Sequence, residues 1–68
     1  MNKIQERLKE LRKVMQVTHR DVADELGITQ VTYCHWGNGQ SQPDIENIIA
    51  LCKYFSVSAD YLLGISDF

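Results

Sequence analysis

Residues 18–38 read THRDVADELGITQVTYCHWGN, and the fold turns on this stretch. It opens on Thr18, with Asp21 three positions later, an aspartate version of the capping box that marks a helix start. Val22, Ala23 and Leu26 then supply the apolar side of a helix over about His19 to Leu26. Gly27 stops it, because the residue just past a helix end commonly takes positive φ. Thr29 is a second N-cap, and the next helix is predicted over about Gln30 to Trp36. Gly37, Asn38 and Gly39 close that helix with turn chemistry.

The spacing inside this stretch has a mechanical reading. Gly27 follows Ala23 by four positions, Tyr33 comes six later and Trp36 three after that. A small Ala23 lets the second helix approach the first closely. Tyr33 and Trp36 pin one face of that second helix to a core, which leaves the opposite face free. Two short helices so arranged form a helix-turn-helix, and the free face suits the major groove of DNA.

Outward from the motif, every segment reads as helix or short turn. Ile4, Leu8, Leu11 and Met15 form one apolar stripe of a first helix, with Asn2 as its expected N-cap. Its polar face offers ion pairs such as Glu6 with Lys9 and Glu10 with Lys13. Pro43 and Asp44 open a fourth helix whose buried stripe is expected to be Ile45, Ile48, Ile49, Cys52 and Phe55. Ser58 caps a last short helix holding Tyr61, Leu62 and Leu63, and Gly64 stops it. The expectation is an all-α, compact five-helix single domain over residues 1–68, with its helix-turn-helix at the second and third helices.

The pieces Ile4-x3-Leu8-x2-Leu11-Arg12, Thr18-x4-Ala23-x2-Leu26-Gly27-Ile28-Thr29, Trp36-x2-Gly39-x3-Pro43 and the block from Phe55 to Gly64 resemble the lambda-repressor-like (Cro/C1-type, XRE) helix-turn-helix family over nearly the whole chain. That resemblance implies a sequence-specific double-stranded DNA-binding regulator of bacterial or phage type. It implies a repressor acting as a homodimer on a near-palindromic operator, with the third helix in the major groove. Carried over by position, base reading falls on Gln30, Val31, Thr32, Cys34 and His35. Phosphate contact falls on Thr18, His19, Arg20, Asn38, Gly39, Gln40 and Ser41, partly through backbone N–H groups. Gln30 has an amide able to pair with adenine, Thr32 a hydroxyl, and Val31 a surface for a thymine methyl.

Departures from the family pattern fall at the same site. His19 stands where glutamine is usual, and Gly37 where a glutamate commonly pairs with the first-helix arginine, here Arg12. Lysine and arginine are missing at Gln30, His35, Asn38 and Gln40. The chain carries a formal charge of −2, and its basic excess is confined to residues 1–17, with five basic and two acidic groups. A reader with few cations releases few counterions, so weak non-specific affinity and a shallow salt dependence are expected. Protonation of His19 and His35 near neutrality is expected to strengthen phosphate contact.

Other readings stay open at this point. The acidic balance of residues 18–68 also suits a helix-turn-helix scaffold used as a protein–protein adaptor or antagonist of another regulator. Tyr61, Leu63, Ile65 and Phe68 are an apolar tail that a small monomer has difficulty burying, so a two-fold interface is expected there. Trp36, Tyr54 and Cys52 read as core. Cys34 beside His35 is a candidate redox thiol, whereas His19, Cys34 and His35 lack the spacing of a metal motif, and no cofactor is expected. No nucleophile–base pair or phosphate-cradling glycine loop appears, so the chain is not expected to be an enzyme. No apolar run approaches a membrane span and the start is amphipathic, which points to the cytoplasm and to no membrane partner.

Overall fold

The computed structural model describes residues 2–67. Among them are five helices and no strand: α1 (Ile4–Met15), α2 (His19–Leu26), α3 (Gln30–Gly37), α4 (Ile45–Phe55) and α5 (Ala59–Leu63). The chain is all-α, as its patterning predicts.

Four of the five starts are set by side-chain caps. Thr18 accepts from the Asp21 N–H while the Asp21 carboxylate accepts from the Thr18 N–H, a reciprocal capping box. Thr29 accepts from Thr32, Asp44 from Asn47 and Ser58 from Tyr61. Each such cap contributes about 1 kcal/mol, a large share for helices this short. At the start of α1 the expected Asn2 side chain does take up a helix N–H, from one residue further out than a regular cap. Lys3 takes the cap position without a side-chain bond, and Asn2 instead accepts from the Ile4 N–H at 3.1 Å.

The stops follow backbone geometry. Gly27 lies at φ 71° and donates to the Ala23 and Asp24 carbonyls. Ile28 adds a bond to the Ala23 carbonyl at 3.0 Å, so the turn into α3 is closed by the backbone itself. Gly64 lies at φ 86° after α5, with Lys3 so near that an added Cβ would stand 2.7 Å from the Lys3 Cγ. There the Lys3 N–H also donates to the Leu63 carbonyl, joining the start of α1 to the end of α5.

α1 packs against α3 and α5, α2 against α3 and α4, and α4 against α5. The core gathers Ile4, Leu8 and Leu11 from α1, Val22 and Ala23 from α2, Tyr33 and Trp36 from α3, Leu51 and Phe55 from α4, and Leu62. Two expected stripes need correction. Met15 is exposed: the chain turns left-handed at Gln16, and Val17 packs against the core in its place. In α4, Ile45 is 74% and Ile49 45% exposed, and Leu51 is fully buried. The inward stripe is Ile48, Leu51, Cys52 and Phe55, the i, i+3, i+4, i+7 face that α2 and α5 cover. Of the surface ion pairs expected on α1, neither is at bonding distance among the described residues; Arg7 instead reaches Glu10 and Asp67, each at 3.7 Å.

The corrected face has a direct consequence. Leu51→Ala is expected to lower unfolding free energy by about 2–5 kcal/mol, and Ile49→Ala by no more than about 0.5 kcal/mol. Urea denaturation of the two variants measures the difference, and equal losses would contradict the assigned face.

Candidate nucleic-acid interface

The side of α3 away from the core is built by the pins on its inner side. Tyr33 is 1% exposed, with its ring 5.9 Å from Trp36 in an edge-on contact and 5.4 Å from His19. With Tyr33 and Trp36 facing inward, Gln30 and Val31 stand at the first turn of α3 facing solvent, Val31 with 64% of its surface exposed. An apolar side chain so exposed beside a helix start is available to a partner surface.

The other expected reading residues sit lower on the helix flank. Thr32 is half-buried, and its hydroxyl shares a 2.9 Å hydrogen bond with the Thr29 hydroxyl. Cys34 and His35 are half-buried, and the Cys34 Sγ lies 3.7 Å from the His19 Nδ1. The spacing of the sequence did not foretell this last contact, because it joins α3 to the first residue of α2. Three-residue clusters of His, Cys, Asp and Glu suited to a metal are absent among the described residues.

The residues expected to meet phosphate lie before α2, at its start and after α3. Thr18, Arg20, Asn38, Gly39, Gln40 and Ser41 are exposed, and His19 is half-buried at the N-terminus of α2. Two backbone amides of the α3–α4 turn are already engaged. Gln40 and Ser41 donate to the His35 carbonyl at 2.9 and 3.3 Å, and Gln40 also to the Asn38 side chain. Asn38 in turn donates to the Gln40 side chain at 2.8 Å. Arg20 lies 3.8 Å from Asp24, both well exposed, a pair too solvated to hold the guanidinium firmly.

Of the tail residues, Ile65 is 73% exposed, Leu63 is half-buried against the core, and the Tyr61 ring is covered by the Arg7 guanidinium at 4.2 Å. Phe68 lies outside the described residues.

Burial first, and then the Arg12 charge, set the electrostatics at His19 and Tyr33. Partial burial, and then the nearby Arg12 charge, hold the His19 imidazole below its ordinary value of 6.5. Burial pushes the Tyr33 phenol up to about 12, against an opposing pull from Arg12. The Tyr33 hydroxyl is buried without a partner at hydrogen-bonding geometry. Lys9 and Gln5 of α1 stand nearby, a contribution of the first helix that the motif alone does not announce.

This arrangement is one shared by known proteins. A family model described as a helix-turn-helix domain matches residues 5–64. The chain belongs to this family and is a lambda-repressor-like helix-turn-helix protein. It is 36% identical over 62 residues to the cryptic phage CTXphi transcriptional repressor RstR of Vibrio cholerae, covering 91% of this chain and 55% of that protein. The structure of a transcriptional regulator from Listeria innocua superposes with a TM-score of 0.89 at 31% identity, over 94% of this chain and 60% of that one. The P22 c2 repressor in complex with synthetic operator 9T superposes with a TM-score of 0.83 at 30% identity, over 88% of this chain and 91% of that one. The chain spans about half the length of the curated relatives it matches, 55% and 50% for two from Bacillus subtilis.

The depressed His19 value fixes a sign. Folding favours neutral His19, so its stabilising contribution is complete above 6.5 and is lost as pH falls through the lower folded-state value. NMR titration of the free protein is expected to place the His19 midpoint below 6.5, and His19→Gln to flatten the fall in melting temperature over that acid range. A midpoint above 6.5 would contradict the environment described.

Proposed function

We propose that this chain binds double-stranded DNA sequence-specifically as a homodimer, places α3 in the major groove, and acts as a transcriptional repressor. The observation that carries the reading is the solvent-facing first turn of α3, with Gln30 and Val31 held outward by the buried Tyr33 and Trp36. The likeness to the P22 c2 repressor, a protein solved with an operator, and to the repressor RstR supports it.

In this reading Gln30 pairs with an adenine edge, Val31 packs on a thymine methyl, and Thr32, Cys34 and His35 line the flank of the same groove. Thr18, His19, Arg20, Asn38, Gly39, Gln40 and Ser41 meet the backbone on either side, helped by the N-terminal dipoles of α2 and α3. The dimer contact falls on Tyr61, Leu63, Ile65 and Phe68 at the C-terminal end, where, among the described residues, Ile65 is the most exposed apolar group. No described helix is long and apolar enough to cross a membrane.

The test is footprinting on the DNA flanking the gene. A protected inverted repeat is expected, with Gln30→Ala weakening the best site by about 1–3 kcal/mol and relaxing the preference at one base pair. Absence of any protected site at low salt, from folded protein, would overturn the reading and favour a protein-binding scaffold. Because Arg20 is the only lysine or arginine in residues 18–42, one per protomer, the slope of log affinity against log salt is expected to be about −2 for a dimer. A much steeper slope would mean that cations outside the motif carry the binding.

A further inference from the structure

A cleft of about 260 Å³ opens between α1 and α3 and reaches the first residue of α2. Lys9 and Arg12 of α1, His19 of α2, and Tyr33, Gly37 and Asn38 around α3 contribute to its wall, and no acidic side chain does. Arg12 is half-buried, yet no carboxylate lies within ion-pairing distance of it among the described residues. Arg7 and Arg20, by contrast, each have an acidic neighbour.

Two further features make the cleft a site. The Tyr33 hydroxyl, on a side chain 1% exposed, has no partner at hydrogen-bonding geometry, and the Arg12 guanidinium beside it can only donate, which leaves the hydroxyl hydrogen without an acceptor. Beside Gly37 there is room: a Cβ built there meets nothing within 4 Å. A partly desolvated guanidinium and an orphaned hydroxyl both favour an oxyanion, and the planar fork of arginine suits a carboxylate or phosphate group. The cleft holds the cation, the spare donor and the space, and lacks the anion.

We infer that this cleft binds a small free oxyanion, the carboxylate or phosphate group of a small molecule, with Arg12 as its anchor and the Tyr33 hydroxyl as a second donor. An occupant adds negative charge next to His19 and Asn38, which the proposed function assigns to DNA phosphates. Occupation therefore opposes DNA binding, and the cleft acts as an effector site within the DNA-binding unit. This second step rests on the DNA-binding reading; the anion site does not.

The experiment is an NMR titration of the isotope-labelled full chain with inorganic phosphate and, separately, with acetate. Ionic strength is held constant with chloride, and pH is fixed above the His19 midpoint. Saturable shifts centred on Arg12, Tyr33, Gly37 and Asn38 are expected at millimolar anion. Arg12→Gln is expected to abolish the saturation and Arg12→Lys to weaken it several-fold. Gly37→Glu places an internal carboxylate in the open space; it is expected to remove the anion response and to raise the melting temperature, with circular dichroism confirming the helical fold. Shifts that rise linearly with anion, or that saturate equally in Arg12→Gln and Gly37→Glu, overturn the site. Movement of the cleft resonances with duplex DNA alone, and not with either free anion, also overturns it and makes Arg12 a backbone contact. In the presence of operator, saturating phosphate is expected to weaken binding about tenfold beyond the chloride control; an equal effect of the two salts overturns the effector role. A chain that binds anion but no DNA would overturn the proposed function and leave the anion site standing.

Discussion

Tyr33 meets His19 at 5.4 Å and Trp36 at 5.9 Å while almost wholly buried, so one ring ties α3 both to the start of α2 and to the core. The direction in which α3 presents its outer face depends on this anchorage. The neighbouring small residue Ala23 and the left-handed Gly27 shape the turn that brings α3 to that position. Loss of the ring would remove the inner wall of the Arg12 cleft and the support of the outer face together. Packing and surface presentation thus share one side chain.

Helix boundaries were legible from the chain because they are decided locally. Thr18, Thr29, Asp44 and Ser58 each bond a backbone N–H within three residues, and Gly27 and Gly64 adopt the left-handed conformation that ends a helix. A cap needs no knowledge of what the helix will pack against. The buried face does, and there the reading of α4 went astray. Its sequence IENIIALCKYF is apolar on more than one side, so two overlapping stripes satisfy a helical period. Only the positions of α2 and α5 select the stripe with Leu51 over the one with Ile45 and Ile49.

The site shows the same division. The outward turn with Gln30 and Val31 follows from the spacing of Tyr33 and Trp36, and is visible in the sequence. The contact of Cys34 with His19, and the engagement of the Gln40 and Ser41 amides by His35, are long-range or turn-specific geometry that spacing does not encode. The vacancy beside Gly37 is of both kinds. The sequence shows Arg12 and the glycine, and the fold shows that they border one cleft.

The bond from the Lys3 N–H to the Leu63 carbonyl brings the start of α1 and the end of α5 together, with Gly64 letting the backbones close in. Topologically the domain is nearly a ring, broken at one point. Its exposed stretch at residues 39–42 lies far along that ring from the break and carries no helix. The order of elements is therefore not what makes the architecture. A short linker from the end of α5 to the start of α1, with a new opening between Gly39 and Gln42, would leave α2 and α3 contiguous and every described helix intact, a circular permutant of this domain built from the same contacts.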